Sequence, residues 1–333
     1  MAKLPVLVTG GAGYIGSHAV LALKDRGWPV AVIDNLSNGA RRAVPDDVPF
    51  YEGDVADRSL VERIFREQDI RAIMHFAGSI VVPESVENPL LYYGNNTVGT
   101  HSLIGAAVAS AVRHILFSST AAVYGAPRRV PIEESDAKEP INPYGASKLM
   151  TERMLADASA AYPLNYGALR YFNVSGADPE LRTGQMGKGS THLIKVAVEA
   201  AAGKRDHVDV FGADYPTPDG TCIRDYIHVS DLADAHVLAL ERLIERPDEN
   251  FVLNCGYGEG LSVLQVLDAV DSAAGQPVTR EMKPRRAGDP PMLVASNRRL
   301  VETLDWTPRF ADIDTIVTHA LEWERKLSGA EIA

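Results

Sequence analysis

The feature that most constrains this chain is a glycine-rich turn, T-G-G-A-G-Y-I-G at residues 9–16, set between an apolar run at 4–9 and a helical spacing at 17–26. Strand, glycine turn and helix together open a βαβ unit. Glycines at 10, 13 and 16 let the backbone turn tightly, let a pyrophosphate approach the helix N-terminus, and let helix and strand pack closely. Such a motif is weak by itself. Here the next strand, at 29–33, ends in Asp34, about 20 residues on, where a carboxylate meets the ribose hydroxyls of a dinucleotide. That placement predicts NAD rather than NADP. Arg41 and Arg42, which a 2′-phosphate would need, lie further into the loop and read as solvated.

The alternation continues down the chain. Residues 48–53 read as a strand ending at Asp54, 59–67 as a helix, and 72–76 as a strand running into Ala77-Gly78. A long helix is predicted at 88–110, with Asn95 and Asn96 early in it, then a strand at 114–118 ending in Ser118-Ser119-Thr120. Strands alternating with helices specify a parallel sheet covered on both faces. Asp54, at a strand's carboxyl end, either contacts adenine or shapes a turn. After a strand at 164–171 the pattern changes, near Gly176, to irregular stretches rich in Gly, Pro and Asp, such as 184–189 and 214–220. A chain of 333 residues fits two domains. The expected division is a dinucleotide domain over 1–175 and a smaller mixed α/β domain over 176–333, with a helix at 230–246 packing back on the first.

The chemistry is concentrated in N-P-Y-G-A-S-K at 142–148, where Tyr144 and Lys148 stand four residues apart at the opening of a helical run to 162. Phenol and amine then share a face. Half-ionising a tyrosine of pKa ~10 at pH 7 requires about 4 kcal/mol. A cation about 5 Å away, at an effective dielectric of ~20, contributes roughly 3 kcal/mol. Lys148 together with the positive ring of an oxidised nicotinamide would give a phenolate able to take a proton from a sugar hydroxyl while hydride leaves the same carbon. The bland alternative is a helix with one buried Tyr and one solvated Lys. Thr120 is the third member: its hydroxyl either bonds a substrate hydroxyl and relays its proton, or caps a turn.

In the second domain, Arg224 and the cluster R-R-A-G-D at 285–289 are either solvated surface charges or a bidentate clamp for a diphosphate. With 44 acidic residues against 33 basic, and no basic stripe, no nucleic-acid partner is expected. The nine histidines show no paired ligand spacing, so no metal site is supported. Cys222 and Cys255 lie outside any C-x-x-C and read as small buried hydrophobes in a reducing compartment. With no secretory h-region and no apolar stretch long enough to span a bilayer, a cytoplasmic protein without a membrane partner is expected.

Taken in order, the glycine turn, Asp34-Asn35, Phe76-Ala77-Gly78, Ser118-Ser119-Thr120, Tyr144 with Lys148, the run R-Y-F-N at 170–173, Phe211-Gly212, Arg224-Asp225-Tyr226 and the segment 286–289 resemble the extended short-chain dehydrogenase/reductase family. The resemblance covers nearly the whole chain, and within the family it is to the sugar-nucleotide 4-epimerases. It implies a Rossmann-type doubly wound parallel sheet holding NAD, with a smaller domain binding a UDP-sugar. It makes Thr120, Tyr144 and Lys148 catalytic. NAD contacts fall on Gly10, Gly13, Tyr14, Ile15 and Gly16, on Asp34, Asn35, Asp54 and Val55, and on Phe76, Ala77, Gly78, Asn95, Lys148 and Tyr171. Substrate contacts fall on Thr120 and Tyr144, on Asn173, His192, Leu193 and Phe211, and on Arg224, Tyr226, Arg286, Asp289 and Leu293.

The implied reaction is a transient oxidation at sugar C4. Tyr144 takes the O4 proton, the 4-keto sugar rotates about its diphosphate link, and hydride returns to the other face, interconverting UDP-glucose and UDP-galactose. Relatives that eliminate water carry Asp-Glu directly after the strand hydroxyl, and decarboxylating ones a Glu; this chain has Ala121 and Ala122. Epimerisation of a UDP-pentose or a UDP-uronic acid stays open. So does a redox-sensing NAD-binding protein without turnover, although it would not need Thr120, Tyr144 and Lys148 together. Leu293, four residues after Asp289, would line the sugar's C2 side. Being shorter than Tyr, it is expected to admit a 2-acetamido group and give side activity on the N-acetyl sugars. Family members form dimers through two helices per subunit, so a homodimer through the helices near Asn95 and Tyr144 is expected.

Overall fold

A computed structural model describes residues 3–187, 190–286 and 289–331. The chain divides into two compact units, neither a single stretch. The first takes the chain up to Gly125 with Lys138–Arg170 and Ala233–Leu253; the second takes Ala126–Ala137, Tyr171–Leu232 and the chain from Asn254.

The first unit is built on a seven-stranded sheet. Six strands follow one another as β1 (Val6–Thr9), β2 (Val30–Asp34), β3 (Phe50–Glu52), β4 (Ala72–His75), β5 (His114–Thr120) and β6 (Asn165–Tyr171), and the seventh is Phe251–Cys255. In space they run β3-β2-β1-β4-β5-β6 and then Phe251–Cys255, the doubly wound Rossmann order. Val6 of β1 lies opposite Val30 of β2 on one side and Ala72 of β4 on the other, in parallel register. β1, β2, β4 and β5 are buried along their whole length, so they read in the sequence as continuous apolar runs rather than alternations. The strand order reverses between β1 and β4, and in such sheets that point opens a crevice at the strands' carboxyl ends.

Helices α1 (Tyr14–Asp25), α2 (Arg58–Glu67), α3 (Val82–Glu87), α4 (Pro89–Tyr92), α5 (Gly99–Ala109) and α6 (Pro143–Ala161) complete the layers. α6 starts where Asn142 accepts a hydrogen bond from the Gly145 amide at 2.8 Å, with Pro143 in the first turn. Leu7, Ile73, Ile115 and Phe117 of the sheet pack with Ile64 and Phe65 of α2, Leu103 of α5 and Leu155 of α6. The long helix expected at 88–110 is three pieces: α4, a π-helical segment Tyr93–Val98, and α5. A π turn accommodates one extra residue, and over six residues the one-position shift it makes in the apolar pattern is too small to stand out.

The second unit is more regular than its composition suggests. Helices Leu193–Ala201, Val263–Ala274 and Ile313–Glu331 share a core of Ile194, Val198, Val266, Leu267, Val317 and Leu321. Val263–Ala274 carries a legible signature: a capping box of Ser262 and Gln265 at its start and Gly275, in the left-handed region, at its end. Three small sheets complete the unit. Val208–Phe211 pairs in parallel with Arg280–Lys283, Asn173–Ser175 in parallel with Tyr226–His228, and Ile223–Arg224 lies between Leu261–Ser262 and Met292–Leu293. No helix among the described residues is long and apolar enough to cross a membrane.

Candidate active site

The glycine turn separates what the protein needs from what a ligand needs. Gly10 has φ +68°, and a Cβ there would sit 2.7 Å from the Ala77 amide nitrogen; a Cβ on Gly16 would sit 2.1 Å from the Gly10 carbonyl oxygen. Both positions are closed to other residues by the fold itself. Gly13 is different: a Cβ there would meet only the Gly10 oxygen, at 3.2 Å. Gly13 caps α1, no side chain caps that end, and no acid stands in its first turn. A bare, positive helix end of this kind fits a pyrophosphate beside Tyr14, Ile15 and Gly16.

Asp34 ends β2 and is buried. Its two oxygens accept from the amides of Ala12 at 2.9 Å and Leu36 at 2.8 Å, and burial raises its pKa against those two bonds. Each oxygen keeps a lone pair for a ribose hydroxyl. Asn35 donates to Asp54 at 3.1 Å while Asp54 also accepts from Ala56, so Asp54 shapes the turn and lies beside Asn35, next to buried Val55. At the end of β4, the Ala77 amide donates to Thr9, whose hydroxyl meets His75 at 2.7 Å; the other His75 nitrogen meets Thr100 at 2.8 Å. Burial, with the nearby Lys148 charge, pushes His75 down to about 3, so it is neutral. Phe76 lies 4.8 Å from the His236 ring, tilted 44° to it. Asn95, in the π segment, donates to the Ser79 hydroxyl at 2.8 Å, next to Gly78. Tyr171 ends β6.

Tyr144 and Lys148 are both buried on one face of α6. The Lys148 ammonium donates to the Ser118 carbonyl at 3.0 Å and lies 4.9 Å from the Phe117 ring centre. It is buried, not solvated. Thr120 takes the capping role, its oxygen accepting from the Ala122 amide at 3.2 Å at the start of a short 3-10 turn Ala121–Tyr124, and its hydroxyl also hydrogen-bonds Tyr144. Burial reverses the pKa direction expected for Tyr144. Desolvation raises the phenol, with the Thr120 bond pulling the other way, and the same burial lowers Lys148 to about 8. A cation at about 5 Å accounts for only part of the balance, since removing water disfavours both charged forms.

Sequence reasoning missed several groups here. Asn96 is buried, donates to Ser147 of α6 and to the Ser79 carbonyl, both at 3.0 Å, and accepts from the Ser79 amide. Ser119, Glu152 and Arg170 form a closed buried cluster. Glu152 had a signal: it falls eight residues after Tyr144, so it extends the same stripe of α6.

In the second unit, Arg224 pairs across the small sheet with Leu293 and donates to Asp289 at 3.3 Å. Tyr226 lies opposite Asn173, whose side chain bonds its phenol; burial lifts that phenol to about 12. Arg286 stacks 3.7 Å from the Phe211 ring centre, and Arg285 is drawn instead to Asp214 and the Tyr215 ring. His192 caps Leu193–Ala201, and its ring meets Gln185 at 3.3 Å rather than either arginine. Ala287 and Gly288, between Arg286 and Asp289, lie outside the described residues, as do Lys188 and Gly189. The structure thus gathers Asn173, Arg224, Tyr226, Asp289 and Leu293, sets Phe211 with Arg286, and leaves His192 and Leu193 at a helix start.

A family model described as NAD dependent epimerase/dehydratase matches residues 6–256. The chain belongs to that family. It is 56% identical over 322 residues to the UDP-glucose 4-epimerase of Azospirillum brasilense, covering 97% of this chain and 92% of that one. A UDP-glucose 4-epimerase from Brucella ovis, solved in complex with NAD, superposes with a TM-score of 0.93 at 46% identity over 96% of this chain and 98% of that one. The UDP-Glc/GlcNAc 4-epimerase of Campylobacter jejuni superposes with a TM-score of 0.85 at 44% identity, over 97% and 100% of the two chains. The open glycine at 13, the uncapped start of α1 and the Asp34 carboxylate match the family's cofactor.

Proposed function

We propose that this chain is an NAD-dependent 4-epimerase that interconverts UDP-glucose and UDP-galactose through a transient 4-keto sugar. The observation that carries the reading is the buried Tyr144 on one face of α6 with Lys148, its phenol bonded to the Thr120 hydroxyl. NAD, held by the glycine turn, Asp34 and the ends of β3 and β4, supplies when bound a cationic hydride acceptor for sugar C4. Tyr144 takes the O4 proton as general base and gives it back to O4 after the keto sugar has turned over and regained hydride on its other face. Thr120 bonds the same oxygen and keeps the phenol aligned. Lys148, fixed on the Ser118 carbonyl, supplies the positive charge that makes a buried phenolate accessible. Ala121 and Ala122 leave no acid beside Thr120 to expel water or carboxylate.

The second unit is the proposed nucleotide-sugar unit. Arg224 and Arg286 are assigned to the diphosphate, Phe211 to the nucleobase side, Asn173 and Tyr226 to polar contacts, His192 and Leu193 to backbone contacts, and Leu293 to the sugar's C2 side. A leucine at that place supports side activity on the N-acetyl sugars. Leu90 and Leu91 of α4, Val98 of the π segment and Met150 of α6 are exposed apolar groups on the helices expected to pair, which supports a homodimer. The cytoplasm is the proposed compartment and galactose metabolism the proposed setting; the two cysteines are free and buried.

The test is direct. Purified protein is denatured, its supernatant is read by absorbance and mass for NAD, and undenatured protein is incubated with UDP-galactose and no added cofactor. NAD in the supernatant and UDP-glucose in the reaction are expected. Protein that releases NAD yet leaves UDP-galactose unchanged would favour a UDP-pentose, a UDP-uronic acid or a sensor role.

A further inference from the structure

We infer that Glu152, Arg170 and Ser119 are positioning residues, which set the end of β5 against α6 so that Thr120 and the Ser118 carbonyl meet Tyr144 and Lys148. The inference rests on reading Thr120, Tyr144 and Lys148 as the catalytic groups. Tyr144, Lys148 and Glu152 fall at positions i, i+4 and i+8 of α6, and all three are buried. The stripe that presents phenol and ammonium therefore ends in a carboxylate. One oxygen of Glu152 accepts from the Ser119 hydroxyl at 2.5 Å and from Arg170 Nε at 2.9 Å; the other accepts from Arg170 Nη2 at 2.5 Å. Arg170 Nη1 continues to the Tyr124 hydroxyl at 2.8 Å, and its guanidinium lies 5.0 Å from that ring's centre.

The cluster holds the chain on both sides of Thr120. Ser119 precedes it in β5, and Tyr124 closes the 3-10 turn that Thr120 caps. Arg170 comes from β6, the strand beside β5. Stability does not explain the arrangement, because taking both ions out of water offsets most of what their attraction gives, and an apolar pair of equal volume would hold α6 as firmly. An apolar pair lacks direction. Hydrogen bonds to both oxygens of Glu152 fix how far α6 slides along β5, and that sets the reach from Tyr144 to Thr120.

Ser119→Ala removes one hydroxyl and leaves the Arg170–Glu152 pair whole; Glu152→Gln loosens the pair itself, and Tyr144→Phe is assayed beside them. For Ser119→Ala, kcat is expected to fall about tenfold, in the range for misplaced reacting groups, with KM for UDP-galactose, NAD content and melting temperature unchanged. Its acidic limb in the kcat–pH profile is expected to move to higher pH, because the Thr120 bond that lowers Tyr144 is lengthened. Glu152→Gln moves the profile the same way and further. Wild-type kcat and profile in Ser119→Ala, beside an inactive Tyr144→Phe, overturn the inference alone, as does a loss of kcat that merely tracks NAD content or melting temperature. Full turnover in Tyr144→Phe overturns the catalytic reading, and the inference with it.

Discussion

Each unit contains an arginine–carboxylate pair, and the two are built differently. Arg170 and Glu152 have side chains 4% and 7% exposed and are joined through both carboxylate oxygens. Arg224 meets Asp289 through one contact of 3.3 Å, and the Asp289 side chain is 37% exposed. The first pair is saturated and serves as frame. The second keeps an accessible acid and a single long bond, so its arginine is able to exchange a carboxylate for a phosphate oxygen. Desolvation, rather than residue type, separates the pair proposed as a frame from the pair proposed to meet a ligand.

The sharpest way to break this comparison is at the closed end. Tyr144→Phe is expected to retain NAD and bind UDP-galactose normally while turnover falls by about two to four orders of magnitude, the usual span of a general base. Near-normal turnover would show that burial there serves only packing. Lys148→Ala is expected to lower kcat by roughly ten- to a hundredfold, the loss of one charge-assisted bond, and to reduce the NAD that copurifies. Its pH signature has a definite sign. Burial lowers Lys148 to about 8, so the ammonium is present below that pH and is lost as pH rises through it. Wild-type activity should decline across that range and the alanine variant should not; parallel profiles would remove Lys148 from the chemistry.

At the open end the effects should move to binding. Arg224→Ala is expected to raise KM for UDP-galactose by about tenfold, with kcat little changed, as for an interaction equal in ground and transition states. A fall in kcat without a change in KM would place Arg224 with the frame. The smallest effect is one of selectivity: Leu293→Tyr should abolish conversion of UDP-N-acetylglucosamine to UDP-N-acetylgalactosamine and spare the UDP-glucose reaction. Chromatography of both reactions checks it, and equal N-acetyl product from the two proteins would take Leu293 away from the sugar.

What the sequence makes legible follows the same division. The sheet is readable because buried parallel strands are apolar runs, and the glycine turn because Gly10 and Gly16 are sterically forced. Tyr144 and Lys148 are legible as neighbours on one face of α6 because a four-residue spacing fixes that, whereas the role proposed for them with Thr120 is legible only through the family resemblance. The direction of the Tyr144 pKa is not, since desolvation depends on what covers the ring and no local pattern encodes it. Glu152 with Ser119 is likewise invisible, because the contact joins residues 33 apart in the chain. The second unit hides its helices behind Gly- and Pro-rich connections, although the Ser262–Gln265 capping box marked one of them.

The π-helical segment Tyr93–Val98 has a consequence for how this protein tolerates change in length. It accommodates one residue more than an α-helical path would use, and its Asn95 and Asn96 both hold Ser79. Deleting a single residue there would restore an α-helical path and leave the helix on either side facing as before, because the wide turn already absorbs the roughly 100° that one residue spans. What the deletion would remove is the wide turn itself, and with it the placement of Asn95 on Ser79 and of Asn96 on Ser79 and Ser147. A chain one residue shorter at this place would therefore keep the helix and its packing faces while losing the grip of the two asparagines on Ser79.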